Sequence, residues 1–276
     1  MRRGLSLDFD NIYSSIDAIA QGNTIDLSSV EFVHPWGLLM VCLLLIERHE
    51  RANRKLILPE NSDACGYLKR MHFDTFLSEI GYSSEGETLK QFSKGEKENL
   101  NVQEILHCLY SNEFSVRLGR FISMFQNFGL DEQSAYLATG VVGELGNNVF
   151  DHNSFSWPTN ITGAFIAAQN YPRKRCIEVA IGDPGVGFRG SLIAAFPDLQ
   201  SDIEAIKKGL AGNTGRVGES RGNGLKLIQQ WTINNFSGMV MIHSGDGLVT
   251  VAKRQMNESK VNRLVGTLTQ FVIHYS

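Results

Sequence analysis

The sequence predicts an α/β protein of two domains, a small βαβ unit followed by a larger α+β layer. Two observations indicate this division. Of the 27 glycines in the 276-residue chain, 17 lie between residues 140 and 247, and glycine is favoured where loops adopt a positive φ or approach a ligand closely. The first part of the chain instead places one long apolar segment between short β-prone runs. We therefore expect a packed core in the first part and ligand-shaped loops in the second.

Composition and charge narrow the class of protein. Hydrophobic residues make up 42% of the chain, charged residues 20%, and the net charge is -3, which is typical of a globular protein without a nucleic-acid partner. The longest apolar run, residues 37–46, falls short of the roughly 20 residues that span a membrane, so no membrane partner is expected. Asp8 stands where a secretory signal would need an apolar stretch, and the four cysteines are far apart. These features predict a cytoplasmic protein with free thiols.

Residues 1–82 are predicted to form the small domain. The runs 24–27 and 55–58 are β-prone, and the apolar segment 36–50 between them follows Pro35, a residue favoured in the first turn of a helix. Strand, helix and strand at these lengths predict a βαβ crossover with two parallel strands. A further helix is expected over 65–71.

The polar stretch within residues 83–112 predicts a linker, so the second domain is expected at 113–276. Its pattern is one of hairpin-joined strands with helices gathered between them, which favours an α+β layer over a doubly wound sheet. An Asp246-Gly247 pair is a strong two-residue turn signal. The predicted elements are helices at 116–128, 131–152, 202–210 and 225–234, strands near 161–168 and 176–181, a hairpin of 239–243 with 248–252, and a last strand at 268–275.

One face of the predicted helix 131–152 carries polar groups. Glu144, Asn148 and His152 recur every fourth residue, and Asp151 lies between them. Because residues four apart share a helix face, carboxylate, amide and imidazole groups line up there. On its own this pattern favours a solvated polar face.

Two glycine segments follow that helix. A β-prone run ends at Asp183 and continues into Gly185 and Gly187. A carboxylate at a strand end can accept a hydrogen bond from an exocyclic amine, and glycine lets the backbone approach a flat base; alone, Asp-Pro-Gly favours an ordinary turn. Gly222 and Gly224 open the next predicted helix, where backbone N–H groups suit phosphate. This segment matches neither a Walker loop nor a Rossmann fingerprint.

In order and spacing, these segments together resemble the GHKL superfamily, the ATP-binding fold shared by gyrase, Hsp90, histidine kinases and MutL. The resemblance covers roughly residues 116–276 and implies an α+β sandwich of the GHKL (Bergerat) type. The matching motifs are Glu144-Leu145-x-x-Asn148-x-x-x-His152 for the N box, Asp183-x-Gly185-x-Gly187 and Gly222-x-Gly224-Leu225 for the two glycine boxes, and Gly266-Thr267 for the Gly-Thr pair near adenine.

The resemblance implies ATP and Mg²⁺ as ligands. Asn148 would hold Mg²⁺ through its amide oxygen. Asp183 would bind the adenine amine, supported by Thr267 directly or through water. Gly185 and Gly187 would shape the adenine edge.

The phosphate end of the implied site involves a second group of residues. Gly222 and Gly224, with residues 213–221 as a lid, would close over the phosphates. Arg221 could neutralise γ-phosphate charge, with Arg216 and Lys208 as weaker candidates. Glu144 would be the catalytic residue, a general base that takes a proton from an attacking hydroxyl or water.

Within the superfamily, the chain looks most like the anti-sigma factor serine kinases. Residues 25–37 are similar to a STAS domain, the fold of anti-sigma factor antagonists, over roughly residues 1–80. Where that family carries Asp-Ser-Ser-Gly, this chain has His34-Pro35-Trp36-Gly37, and Trp36 cannot accept phosphate. The resemblance therefore implies a Mg-ATP-dependent serine/threonine kinase that acts on a separate STAS-like or other regulatory protein.

Three alternatives stay open at this level. One is a non-catalytic switch, in which ATP changes the affinity for a partner with little turnover. Another is phosphotransfer of the histidine-kinase type, because residues 49–53 match the pattern around a phosphoacceptor histidine, although a helix end in a βαβ unit explains His49 more simply. The third is a purely structural α+β protein, which would have to carry the three spaced motifs by chance. The assembly could be a homodimer.

Overall fold

A computed structural model describes residues 4–92, 100–153, 157–213, 224–253 and 255–275 of the protein. The chain is an α/β protein in which helices surround three β-sheets. The N-terminal part contains β1 (Leu5–Leu7), α1 (Phe9–Ile19), β2 (Ala20–Gln21), β3 (Thr24–Asp26), β4 (Val30–Val33), α2 (Pro35–Arg48), β5 (Lys55–Ile57), α3 (Ser62–Arg70), α4 (Phe73–Glu79) and α5 (Ser83–Lys90).

The predicted βαβ crossover is confirmed. β3 and β5 pair in parallel, with Ile25 opposite Leu56, and α2 lies between them in the chain. The sequence prediction missed β4, which follows β3 and pairs in parallel with β1 in a separate two-stranded sheet. The predicted helix over 65–71 corresponds to α3.

Helix α2 is the centre of the N-terminal core. Thirteen of its 14 residues are buried, which is expected for a helix that is apolar on all sides. It contacts β7 (Ala164–Tyr171), β8 (Cys176–Asp183) and β10 (Gln255–His274) of the second part of the chain. The two parts therefore share one packed core along this helix.

A five-stranded sheet organises the second part of the chain. Its order is β6-β7-β8-β10-β9, and all neighbouring strands are antiparallel. This arrangement agrees with the predicted α+β layer. Besides the strands given above, the elements are β6 (Val102–Cys108), α6 (Ser111–Leu118), α7 (Arg120–Asn127), α8 (Glu132–Asn153), α9 (Gly187–Leu192), α10 (Asp202–Leu210), α11 (Gly224–Phe236) and β9 (Met239–Ala252).

The sheet is the middle of three layers. Because successive strand residues point to opposite faces, Phe165 and Leu268 pack against the N-terminal core, whereas Ile166 and Phe271 join the core beneath α8. We call the first the N-terminal face and the second the helical face. Helices α8 and α11 pack together on the helical face.

The stretch 83–112 that the sequence predicts as a linker contains regular structure. It includes helix α5, which packs on α4, and strand β6 at the edge of the main sheet. Polar composition suggested a loop because both elements are short, with α5 mostly exposed and β6 mostly half-buried. The division into two domains stays a prediction.

The predicted hairpin turn at Asp246-Gly247 is wrong, because β9 runs through it without interruption and pairs with β10 from Gln255 onward. The glycines instead allow α10 to approach the strand. Gly245 has a φ of +59°, the backbone N–H of Asp246 donates to Asp202, and a Cβ on Gly247 would lie 2.7 Å from the Ile203 nitrogen. The register between β9 and β10 shifts nearby, so Asp246-Gly247 lies at a β-bulge and not at a hairpin turn.

Two further expectations concern the chain as a whole. All four cysteines are free, as predicted, and the structure shows that each of them is buried. None of the helices in the described ranges has the length and apolar character needed to cross a membrane.

Candidate functional site

A cavity lies on the helical face of the sheet, between the C-terminal half of α8, the end of β8, α9 and the start of α11. Four of the predicted site residues line it together, namely Asn148, Asp183, Gly187 and Thr267. The cavity is open to solvent on one side, and the centres of water-sized spheres can occupy about 70 Å³ of it. The remaining wall is largely apolar and includes Leu145, Val149, Ile181, Phe188, Leu192 and Leu225.

Asp183 is the last residue of β8 and is only 5% exposed. Its Oδ1 accepts hydrogen bonds from the Gly185 backbone N–H at 2.9 Å and from Asn153 Nδ2 at 3.1 Å. Burial raises the pKa of Asp183 to about 7, because desolvation disfavours the ionised carboxylate. The two hydrogen bonds favour the ionised form, but their effect is smaller. Oδ2 has no hydrogen-bond partner among the described residues, so it remains available to a ligand.

The turn after Asp183 requires its glycines. A Cβ on Gly185 would collide with the side chain of Asn153. Gly187 has a φ of +72°, and a Cβ there would lie 2.7 Å from Ser244 Oγ. A larger residue at either position would displace the turn from the cavity wall.

Thr267 is placed beside Asp183 by strand register, since the two residues are directly opposite in the β8–β10 pair. Gly266 permits this close approach, because it has a φ of +83° and a Cβ there would collide with the Asp183 carbonyl. Thr267 Oγ1 lies 3.4 Å from Ser244 Oγ. The predicted neighbourhood of Asp183 and Thr267 is thus present in the structure.

Asn148 lies on α8, partly buried in the cavity wall. Its Nδ2 atom is buried and has no hydrogen-bond partner among the described residues. An unpaired buried donor costs about 1–3 kcal/mol, so this side chain is one that a ligand could satisfy. Rotation of the amide by a half-turn would present Oδ1 instead. His152, one turn further along α8, also lines the cavity.

Glu144 lies one turn before Asn148 and is half-buried. It is not part of the cavity wall but borders the N-terminus of α11, where a Cβ on Gly224 would lie 2.5 Å from Glu144 Oε2. Arg221 and Gly222 lie outside the described residues, as does most of the predicted lid 213–221.

Two residues of the site were not predicted from the sequence. Asn153, 3% exposed, donates to the Val149 carbonyl at 2.8 Å and accepts from the Val186 N–H at 2.9 Å, besides its bond to Asp183. Ser244 Oγ accepts from the Phe188 N–H at 2.9 Å and donates to the Gly266 carbonyl at 3.1 Å. Neither belongs to a motif, and only the three-dimensional pairing of strands and helix ends brings them to the site.

Comparison with known proteins adds no identification. No protein-family model matches the chain, and no curated protein matches it. Within the described ranges, no group of three or more His, Cys, Asp or Glu side chains is arranged to hold a metal ion by itself.

Proposed function

We propose that the protein binds Mg-ATP and acts as a regulatory serine/threonine kinase of the anti-sigma, partner-switching type. The observation that best supports this proposal is the Asp183 carboxylate at the end of β8. One oxygen is held by two donors, and the other has no partner in the described part of the chain and lies beside a largely apolar cavity. Such a group can accept a hydrogen bond from the exocyclic amine of a buried adenine.

The residues around Asp183 fit a nucleotide. Gly185, Gly187 and Gly266 leave no space for side chains at the wall that would contact the base. Asn148 has a buried amide nitrogen that no described residue pairs with, and a half-turn of the amide would present its oxygen, a ligand that Mg²⁺ accepts. Gly224 begins the 13-residue helix α11, whose N-terminal N–H groups and dipole favour phosphate.

Bound Mg-ATP would supply the phosphoryl group for transfer to a hydroxyl of the partner. Asn148 would hold the metal through its amide oxygen. Glu144, one turn away on the same helix face and beside the start of α11, would accept the proton of the hydroxyl. For Arg221 and Gly222, the contact with phosphate is proposed from the resemblance alone.

The position of the N-terminal core supports a separate protein as the substrate. Trp36, which stands where a STAS phosphoacceptor would be, is fully buried near the start of α2. Next to it, His34 Nδ1 lies 2.9 Å from Glu178 Oε2 and 2.8 Å from Tyr171 Oη. Glu178 and Asp183 are five residues apart on β8 and therefore point to opposite faces of the sheet. The chain does not present this segment to its own cavity.

Calorimetric titration with a non-hydrolysable ATP analogue tests the proposal. The full chain is expected to bind the analogue in a Mg²⁺-dependent manner, and Asp183→Asn is expected to weaken binding by about tenfold or more, the effect of one lost charged hydrogen bond. Asp74→Asn is a matched control, because Asp74 is also buried, at 2% exposure, but lies in α4. Absence of binding at millimolar nucleotide, or equal losses in both variants, would contradict the proposal.

The alternative of a binding switch makes the same prediction for the analogue but differs in turnover. Incubation with ATP and a STAS-like partner separates the two, because only the kinase forms acid-stable phosphoserine or phosphothreonine. The structure gives no support to phosphotransfer through His49, whose Nδ1 is held by the Ile46 carbonyl at 2.6 Å at the end of α2.

A further inference from the structure

Asn153 joins three segments of the site. It is the last residue of α8, and its side chain contacts the preceding helical turn, the end of β8 and the glycine turn through Val149, Asp183 and Val186. Both amide hydrogens and the amide oxygen are engaged, so the side chain has a single favourable orientation. A buried group with this pairing is a rigid reference point for its neighbours.

The hydrogen bond from Asn153 helps to fix the orientation of the Asp183 carboxylate. A carboxylate has two equivalent oxygens, and either could face a ligand if nothing held them. Here Asn153 Nδ2 and the Gly185 N–H both donate to Oδ1, and this pair of donors leaves Oδ2 as the oxygen open to the cavity. The acceptor that a ligand would meet is therefore a single atom at a fixed place.

We propose that Asn153 is a positioning residue that holds Oδ1 of Asp183, so that Oδ2 alone meets the base and selects a 6-aminopurine over a 6-oxopurine. This inference rests on the proposed function, because it concerns how the same site would distinguish nucleotides. A 6-amino group donates to Oδ2, whereas a 6-oxo group would bring a second acceptor against it. A site built to pair with a donor rejects the analogue that lacks it, here by about 100-fold or more.

The same geometry predicts the behaviour of Asp183→Asn. The two donors at Oδ1 require an acceptor, so an amide at this position would keep its oxygen towards them and turn its NH₂ towards the base. Two donors would then face each other when a 6-aminopurine binds, but a 6-oxopurine would be paired. The variant should invert the base preference, whereas a merely structural role for Asp183 would lower the affinity for both bases.

Asn153→Asp tests the positioning role at nearly constant volume. It replaces the donor to Asp183 with a second carboxylate, and neighbouring carboxylates raise each other's pKa. Of the described residues that line the cavity, His152 on α8 is the other titratable group near Asp183, and its ring resonances can be followed separately.

Asn170→Asp is the matched control. Asn170 is also buried, at 5% exposure, and its amide makes the same three kinds of bond, to the Phe128 carbonyl, the Asn101 side chain and the Tyr275 hydroxyl. It pairs with residue 177 on β8, about 20 Å along the strand from Asp183 at the usual rise per residue.

The first measurement needs no ligand. Carbon-detected NMR follows the Asp183 carboxyl through a pH titration in the wild-type chain and both variants. We expect the midpoint to rise by about one pH unit or more in Asn153→Asp and to stay unchanged in Asn170→Asp. An unchanged midpoint in Asn153→Asp, or an equal shift in Asn170→Asp, would overturn the positioning role.

The second measurement compares non-hydrolysable ATP and ITP analogues by calorimetry at pH 8. The wild type and Asn170→Asp should favour the ATP analogue by about 100-fold, Asn153→Asp should reduce that ratio by about tenfold or more, and Asp183→Asn should invert it. Equal ratios in all four proteins would overturn the selectivity.

Binding of neither nucleotide by the wild type would refute the proposed function and the selectivity together, while the NMR titration would still decide the positioning role. If Asn153→Asp does not fold, the base preference of Asp183→Asn decides whether the residue at 183 is held in one orientation, because only a held side chain inverts that preference.

Discussion

The two faces of the central sheet use buried ionisable groups in different ways. On the N-terminal face, His243 has both ring nitrogens engaged, with Nδ1 3.1 Å from the Tyr13 hydroxyl and Nε2 3.1 Å from the carbonyls of Gly245 and Asn262. On the helical face, Asp183 uses one oxygen and leaves the other without a partner among the described residues. A buried side chain whose polar atoms are all hydrogen-bonded contributes to packing. A buried side chain with one unpaired polar atom is available to bind a ligand.

The difference extends to the packing around each group. At the end of β8, helix α2 covers the N-terminal face, and Leu43, 1% exposed, lies against Gly182, the residue before Asp183. The helical face has a cavity at the corresponding place. The end of β8 therefore has closely packed side chains on one face and an open cavity on the other.

The largest effect is expected for Glu144→Gln on the helical face. If Glu144 accepts the hydroxyl proton, its loss should slow phosphoryl transfer by about 10²- to 10⁴-fold while leaving affinity for the ATP analogue unchanged. Transfer is measured with the STAS-like partner, and Glu132→Gln, in the first turn of the same helix, is the control. Transfer at the wild-type rate in Glu144→Gln would remove this residue as the base.

The next largest effect is expected for Leu43→Ala on the N-terminal face. Truncation of a buried leucine should lower the free energy of unfolding by about 2–5 kcal/mol, measured by urea denaturation. Val116→Ala is the control, because Val116 is 82% exposed and should change stability by less than about 0.5 kcal/mol. The assignment of the N-terminal face to packing would be wrong if Leu43→Ala left the free energy of unfolding unchanged and instead weakened nucleotide binding.

A smaller effect is expected in the pH dependence of the free energy of unfolding, to which His243 and Asp183 contribute in opposite directions. Burial lowers the pKa of His243 to about 4 and raises that of Asp183 to about 7. Between pH 4 and 6.5 the unfolded state takes up a proton that folded His243 does not, so this group's contribution to stability is lost as pH falls. Folded Asp183 keeps a proton that the unfolded state has released above pH 4, so its contribution is lost as pH rises to 7.

The contribution is at most about 3 kcal/mol for His243 and about 4 kcal/mol for Asp183, and the two have opposite signs. The stability of the wild type relative to His243→Gln should therefore increase from pH 4 to 6.5, and relative to Asp183→Asn it should decrease from pH 4 to 7. Urea denaturation across this range measures both slopes. Slopes of the same sign would show that the two groups are not buried as described.

Much of this arrangement was accessible from the sequence where periodicity or local spacing determines structure. The parallel pair β3–β5 and helix α8 follow from apolar patterns. The resemblance of their motifs to a known family implied that Asn148 and Asp183 share a site, and both residues line the cavity. Asn153 and Ser244 could not be predicted, because the partners that bring them to the site, Asp183 and Gly266, are 30 and 22 residues away in the chain. The misplaced turn at Gly247 has the same cause, since the approach of α10 is a tertiary contact.

The smallest expected effect is the pH dependence of nucleotide affinity. An exocyclic amine donates to the ionised carboxylate, so a ligand would have to displace the proton that Asp183 holds below pH 7. Affinity should fall by about tenfold per pH unit below 7 and level off above it. Calorimetry at pH 6 in buffers of different ionisation enthalpy should detect release of nearly one proton. Adenosine, which has no phosphate to titrate, should release the same proton, and a pH-independent affinity would show that the base does not meet Asp183.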